Sequence, residues 1–385
     1  MRILKLIFKN TLRHKLRSTL TIMGIAIAVI AFGLLRTVVT AWYGGIEAAA
    51  ADRLITRQSV SFIFPLPLSY KENIASVPGV SDVAFQIWFG GTYKDKSQFF
   101  ARIASSDNIF DTYPEYVIPK DQMNIYMKER NSCVIGSGIA QTYKLKLGDV
   151  MSLDGDIYPG RWDFVVRGIY TPKFQSTDNN TMFFHWDLLN ERMIKEMPGR
   201  ANDVGWYVIK INDPNQSARI SDEVDALFKN SPSETKTETE RAFNQGFIAS
   251  SSAIITSMNV MSFMIIGIIM LVLGNTMIMA SRERTREYAV LKTLGFNGKH
   301  MIGLILGESM FISCLGSFVG LMFTFPMVAS FEKFIPKGMF PQFHVEPITL
   351  ILAVSAALFI GIAAAAFPIQ RVLNTKIVEG FRFVG

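Results

Sequence analysis

Four mostly apolar stretches, 19–41, 256–280, 302–328 and 348–368, limit what this chain can fold into. Each meets the length of about 20 residues that a helix needs to cross the hydrocarbon core of a bilayer. Residues 42–255, between the first and second stretches, are long and polar enough to form a core of their own. The composition fits that division: 49% of residues are apolar, yet 18% are charged. The first stretch follows a basic segment, as a signal peptide would. Its apolar run exceeds the usual h-region of about 7–15 residues, and Trp42 and Tyr43 suit an interfacial belt better than a cleavage site.

A net charge of +7 raises the question of nucleic acid, and the distribution of charge answers it. Arg2, Lys5, Lys9, Arg13, Lys15 and Arg17 precede the first stretch with no acid among them. Arg282, Arg284, Arg286, Lys292 and Lys299 lie between the second and third, and Arg371, Lys376 and Arg382 follow the fourth. Basic residues beside apolar runs are a topology signal, so nucleic acid is not an expected partner. With four crossings the three clusters share one side. That side is cytoplasmic by the positive-inside rule, which puts both termini inside, 42–255 and the 329–347 loop outside, and membrane lipids around the spans. Residues 1–18 space Ile3, Leu6, Ile7, Leu12 and Leu16 so as to predict an amphipathic helix on the inner leaflet. Residues 281–301 form a cytoplasmic loop and 369–385 a tail. Arg36, near the outer end of the first span, reads as snorkelling or as marking a helical stalk.

The external segment alternates strand and helix patterns. Ser59 to Phe64 predicts a strand, Leu68 to Ser76 a short helix and Val83 to Phe89 a second strand. Trp206 to Ile211 and Ser217 to Lys229 repeat strand then helix near its far end, and a Ser/Thr/Glu-rich stretch from Ser231 to Glu240 leads back toward the membrane. An α+β domain is expected, with one lobe built from both ends and a mostly β insertion at about 117–200. The two cysteines, Cys133 and Cys314, are expected to be free thiols.

No chemistry of its own stands out. A G-x-x-x-x-G-K-[ST] phosphate loop is absent, since His300 follows Gly298-Lys299, and no G-x-S-x-G elbow occurs. His14, His185, His300 and His344 are scattered without metal-ligand spacing. We therefore expect no enzyme, no metal and no cofactor on this chain.

The residues flanking the spans resemble a known family. Lys15 to Ile27 (KLRSTLTIMGIAI) is similar to the first-span signature of the MacB/FtsX/LolCE permease superfamily. Arg282 to Gly295 (RERTREYAVLKTLG) resembles its cytoplasmic motif after the second span, followed by Gly307-Glu308-Ser309. Cys133 to Val150 resembles a segment of its periplasmic core domain. The order of one span, a large domain and three spans covers the chain. The resemblance implies a permease of an ABC-type export or mechanotransmission complex in a bacterial inner membrane, with a porter-like external lobe. It implies two permease copies, or a paralogue pair, and an ATPase that binds ATP and Mg. Macrolide-efflux members fuse that ATPase ahead of the first span, where this chain begins, so a separate subunit is expected. A periplasmic adaptor and outer-membrane channel are further partners of some relatives. The alternatives are a sensor or receptor, or a lipoprotein-releasing subunit.

On this resemblance Arg282, Glu283, Arg284, Thr285, Arg286, Glu287, Tyr288, Leu291, Leu294 and Gly295 form an ATPase-coupling helix, with Tyr288, Val290, Leu291 and Leu294 filling a groove. Glu308 is an intramembrane acid, read either as functional or as the partner of an interfacial arginine such as Arg17 or Arg371. Gly24 with Ala28, Gly303 with Gly307, and Gly316 with Gly320 allow close helix approach and suit a permease dimer.

Overall fold

The computed structural model describes residues 15–47, 49–94, 99–174, 177–250, 252–335 and 343–374. Residues 1–14 of the expected inner-leaflet helix, 336–342 of the loop after the third span and 375–385 of the tail lie outside these. The chain divides into a helical unit (1–40, 252–334 and 343–385) and a second unit (41–251 and 335–342).

In chain order the first helix, α1, is Lys15–Glu47, so it runs well past Arg36. The second unit then builds β1 (Arg53–Gln58), β2 (Leu66–Pro67), α2 (Tyr70–Ala75), β3 (Val80–Trp88), β4 (Ala101–Ser105), β5 (Tyr116–Val117), α3 (Lys120–Tyr126), β6 (Ser132–Gly136) and α4 (Ser137–Tyr143). It continues with β7 (Val150–Gly155), β8 (Gly160–Pro172), β9 (Thr181–His185), α5 (Trp186–Glu196), β10 (Asp203–Val204), β11 (Trp206–Ile211), α6 (Ser217–Leu227), β12 (Thr235–Thr239) and α7 (Glu240–Ser250).

One mixed sheet runs β12-β1-β11-β3-β4-β9-β6-β8-β5, with β7 added to β8. The half β12-β1-β11-β3 joins both ends of the domain, and the other half holds β4, which precedes the expected insertion at about 117–200, together with β5 to β9. The two halves are one sheet because β4 pairs β3 antiparallel and β9 in parallel, from Ala101↔Thr181 to Ser105↔His185. Both faces of its centre are covered. Phe85, Cys133, Ile135, Met182 and Phe184 enter one apolar cluster, while Ala84, Val134 and Phe183 enter the other. Strands buried on both faces read as continuous apolar runs, as Ser132–Gly136 does.

Two segments differ from expectation. Ser59 to Phe64 is an irregular loop and the strand is Arg53–Gln58 before it, whose arginines disguise it. The Ser/Thr/Glu-rich stretch contains the edge strand β12, in register with β1 from Leu54↔Thr239 to Gln58↔Thr235. Its threonines are satisfied inward: the Thr56 and Thr237 hydroxyls lie 2.8 Å apart, and Asp225 accepts from both Thr235 and Thr237.

A buried charge cluster fixes the place where the chain enters and leaves this domain. Arg53, 3% exposed, donates to both oxygens of Glu115 (2.6 and 3.0 Å) and to Glu240 at 2.8 Å. Glu240 also accepts from the Ala50 backbone N–H at 3.0 Å, and the Tyr113 ring lies under the guanidinium. Burial works against the Arg53 charge, but the two carboxylates outweigh it and raise the guanidinium above its ordinary value. Ala50 follows α1, and Glu240 opens the helix that leads to the second span. One arginine therefore ties the start of the domain to its end. Arg53→Met would leave two part-buried carboxylates without their cation, a change that costs about 3–5 kcal/mol. Chemical denaturation of the full chain in detergent should show a clearly lower midpoint; an unchanged midpoint would contradict this role.

The helical unit holds α1, α8 (Ser252–Glu283), α9 (Thr285–Thr293), α10 (Gly298–Glu332) and α11 (Pro347–Asn374). Among the described residues α1, α8, α10 and α11 are long and apolar enough to cross a membrane. Small and hydroxyl residues set their packing, as is usual where apolar burial alone cannot drive association. Ser309 and Ser313 donate from one face of α10 to the Gly361 and Ala357 carbonyls of α11, at 2.7 and 2.6 Å.

Gly316 and Gly320 are used within the chain. A Cβ on Gly316 would fall 2.8 Å from the Ile25 side chain and 3.2 Å from the Ile22 carbonyl. One on Gly320 would fall 2.7 Å from Val29. Within the chain, α1 makes the close helix approach that the pair allows. Gly24 and Gly303, by contrast, have open space at the Cβ position. Gly316→Leu should therefore sharply reduce the yield of folded protein in size-exclusion chromatography, while Gly303→Ala leaves it unchanged. Equal yields would show that α1 does not depend on Gly316.

Candidate functional site

The candidate site is α9, the short helix between the second and third long helices. It is separate from α8: Arg284 leaves helical geometry at φ −101°, ψ 9°, which breaks the expected continuous segment into two helices. Glu287 in its first turn and Lys292 in its last suit the helix dipole. Its end is a Schellman closure, in which Phe296 N–H donates to Leu291 O at 3.0 Å and Gly295 N–H to Lys292 O at 3.1 Å. Gly295 supplies the left-handed conformation this needs, with φ +86°. Its place in the motif is thus to stop the helix.

The inner side of α9 is fastened at three points. Arg284 Nη1 donates to Glu308 Oε2 at 2.8 Å, and the two side chains are 4% and 9% exposed. Tyr288 and Ala289 are buried, and Tyr288 and Leu291 pack into the cluster of Ile305, Ala364 and Val372. Burial first, then the neighbouring Glu308 carboxylate, push the Tyr288 phenol up to about 12, so it stays neutral. Lys292 Nζ donates to the Val372 and Leu373 carbonyls at 2.9 and 3.3 Å, closing the last turn of α11, where carbonyls lack helical partners. Thr285 donates back to Arg282 O at 2.8 Å, which stabilises the corner.

The outer side is open. Arg286, Val290 and Leu294 follow one another at four-residue spacing and so form a stripe on one helix face. Leu294 is 70% exposed, and Phe296 beyond the helix stop extends the apolar patch. Arg282, Glu283 and Glu287 are exposed around it. Arg17 and Glu283 pair at 2.8 Å on the surface, where such pairs contribute about 0–1 kcal/mol.

The residues expected to make a coupling face thus divide. Arg282, Glu283, Arg286, Glu287 and Leu294 face outward, whereas Arg284 and Tyr288 turn inward and Leu291 is half-buried. Glu308 pairs with Arg284, and Arg17, which the sequence offered as its partner, pairs with Glu283. Phe296 was not foreseen; its position three residues past the helix end, beside Gly295, is the signal that points to it. Arg53, Glu115 and Glu240 also escaped the sequence reading, since nothing in their spacing brings them together.

Known proteins align with both units. The family model of the MacB-like periplasmic core domain matches residues 18–227, and that of the FtsX-like permease C-terminal region matches 259–377. An uncharacterized ABC transporter permease of Methanocaldococcus jannaschii is 22% identical over 399 residues, covering 97% of this chain and 96% of its own. A Staphylococcus haemolyticus protein named as a hemin transport system permease, HrtB, is 22% identical and covers 69% of this chain and 68% of its own. Among solved structures, the periplasmic region of MacB from Actinobacillus actinomycetemcomitans aligns with a TM-score of 0.40 and 12% identity, over 52% of this chain and 95% of that one. The extracellular domain of the noncanonic ABC-type transporter YknZ aligns with a TM-score of 0.37 and 12% identity, over 49% of this chain and 98% of that one. With a periplasmic core domain matched over more than half its length and an FtsX-like permease region after it, this multi-pass membrane chain belongs to the MacB/FtsX family of ABC transporter permeases.

Proposed function

We propose that this permease couples ATP hydrolysis on a partner ATPase subunit to motion of its external domain. The observation that carries the reading is the two-sidedness of α9. Its inner side is anchored to α10 by Glu308 and to α11 by Lys292, and its outer side offers Leu294, Phe296 and Arg286 to solvent. A partner that moved this helix would move the long helices with it. Apolar anchors inside a charged rim are what a protein docking site needs. The sequence has no phosphate-binding loop, so ATP and Mg belong to the partner. Within the external domain, Arg53 joins the segment that follows α1 to the start of α7.

The complex contains two permease copies, or this chain and a paralogue, with both termini cytoplasmic and 42–255 outside. Cargo is handled by the external domain, directly or through an adaptor and outer channel, and does not pass between the helices. Ser309 and Ser313 are occupied by α11 carbonyls and so are not free to line a hydrated path.

Tagged permease expressed with its cognate ATPase should retain that subunit through purification, and failure to do so would remove the coupling reading. Topology is tested by cysteine labelling of intact cells. Asn179→Cys should react with an impermeant maleimide and Asn297→Cys should not; the reverse pattern would overturn the orientation.

A further inference from the structure

A groove of about 380 Å3 opens between α1, α8 and α11. Its walls include Phe32, Phe263, Leu352 and Phe359, and Phe263 and Phe359 are 74% and 60% exposed. In a membrane helix an exposed apolar side chain meets lipid or another helix. One charge enters this apolar surface. Arg36 Nη1 donates to Asn259 Oδ1 at 3.3 Å, and the Arg36 Nε is buried with no hydrogen-bond partner. No carboxylate pairs with Arg36 among the described residues. The groove hydroxyls do not help, because Ser262 and Ser355 bond back to Met258 O and Ile351 O of their own helices.

A guanidinium stays charged at any physiological pH, and in low dielectric it needs a counter-charge. Its depth says where that comes from. From Thr19, where the basic N-terminal cluster ends, the helix rises about 26 Å to Arg36, against a hydrocarbon core about 30 Å thick. Arg36 therefore stands at the boundary between acyl chains and headgroups, on the face of the bilayer away from the basic clusters. An occupant with one anionic group and a long apolar body satisfies both the arginine and the groove.

We propose that the groove holds an anionic phospholipid, with its phosphodiester on Arg36 and Asn259 and an acyl chain along Phe263, Leu352 and Phe359. The lipid then acts as a wedge between α1 and α11. The proposal rests on the four helices crossing a bilayer; it does not depend on the ATPase or on the cargo.

The test is native mass spectrometry of the full chain in detergent, titrated with phosphatidylglycerol or phosphatidylcholine. The wild-type chain should retain one phosphatidylglycerol and little phosphatidylcholine. Arg36→Gln should bind phosphatidylglycerol about tenfold more weakly, the loss expected for one charge-assisted contact. Leu352→Trp, which fills the groove and leaves the charge in place, should lose it as well. Equal retention of phosphatidylglycerol by all three proteins would overturn the proposal. So would efficient disulfide cross-linking of two copies through Leu352→Cys in membranes, which would mean that a second protein covers the groove. Should Arg36→Gln not yield monodisperse protein, unchanged binding by Leu352→Trp is sufficient to overturn it.

Discussion

Replacing Val290 and Leu294 together with aspartate is expected to abolish stimulation of the partner ATPase while the permease still folds and inserts. Both side chains lie on the outer stripe of α9, and neither belongs to the apolar cluster that fastens the helix. Truncating a central interface anchor costs about 2 kcal/mol or more, roughly a 30-fold loss of affinity, and a buried carboxylate adds a desolvation cost. Arg286→Glu, at the rim of the same face, should act less strongly and mainly at low salt, because rim charges govern encounter more than residence. The readout is ATPase rate in proteoliposomes as a function of permease concentration. Full stimulation by the double variant would place the docking surface elsewhere.

The second large effect is expected inside the bundle. Glu308→Gln leaves Arg284 buried against a neutral group, and Arg284→Met leaves Glu308 buried without its nearest cation. Removing one partner of a buried pair costs about 3–5 kcal/mol, whereas replacing both with apolar groups is close to neutral. Each single variant should therefore lower the melting temperature markedly, and Arg284→Met with Glu308→Leu should recover most of the loss. That non-additive pattern separates a structural pair from a proton or ion carrier. If Glu308→Gln kept full stability but lost all activity, Glu308 would have a chemical role. Arg284 is thus unsuited to testing the docking face, although the sequence motif invites its use.

The long helices were legible because uninterrupted apolar runs of that length admit few other folds in a membrane protein. The sheet was legible at Val83 to Phe89 and Trp206 to Ile211, whose apolar runs fall on β3 and β11. It was misread where charge lies inside a strand. Arg53 and Arg57 in β1 look like surface residues until Glu115, Glu238 and Glu240 arrive from distant parts of the chain. The motif located the candidate site but not its inner and outer faces. What marks the inner face is tertiary: Arg284 meets Glu308, and Tyr288 enters the cluster of Ile305 and Val372. The Arg284–Glu308 pair and the use of Gly316 by Ile25 are tertiary facts, which no local spacing contains.

The central claim, that docking at α9 is felt in the external domain, is open to one direct measurement. A Cys314→Ala chain carrying a spin label at Lys128, an exposed site on the domain, is assembled with its ATPase in lipid nanodiscs. Distances between the labels of the two permease copies are then compared without nucleotide and with ATP trapped by vanadate. The account predicts a distance distribution that shifts on trapping and stays fixed when Val290 and Leu294 are aspartate. An identical distribution in both states of the wild-type complex, with the ATPase bound and active, would contradict it.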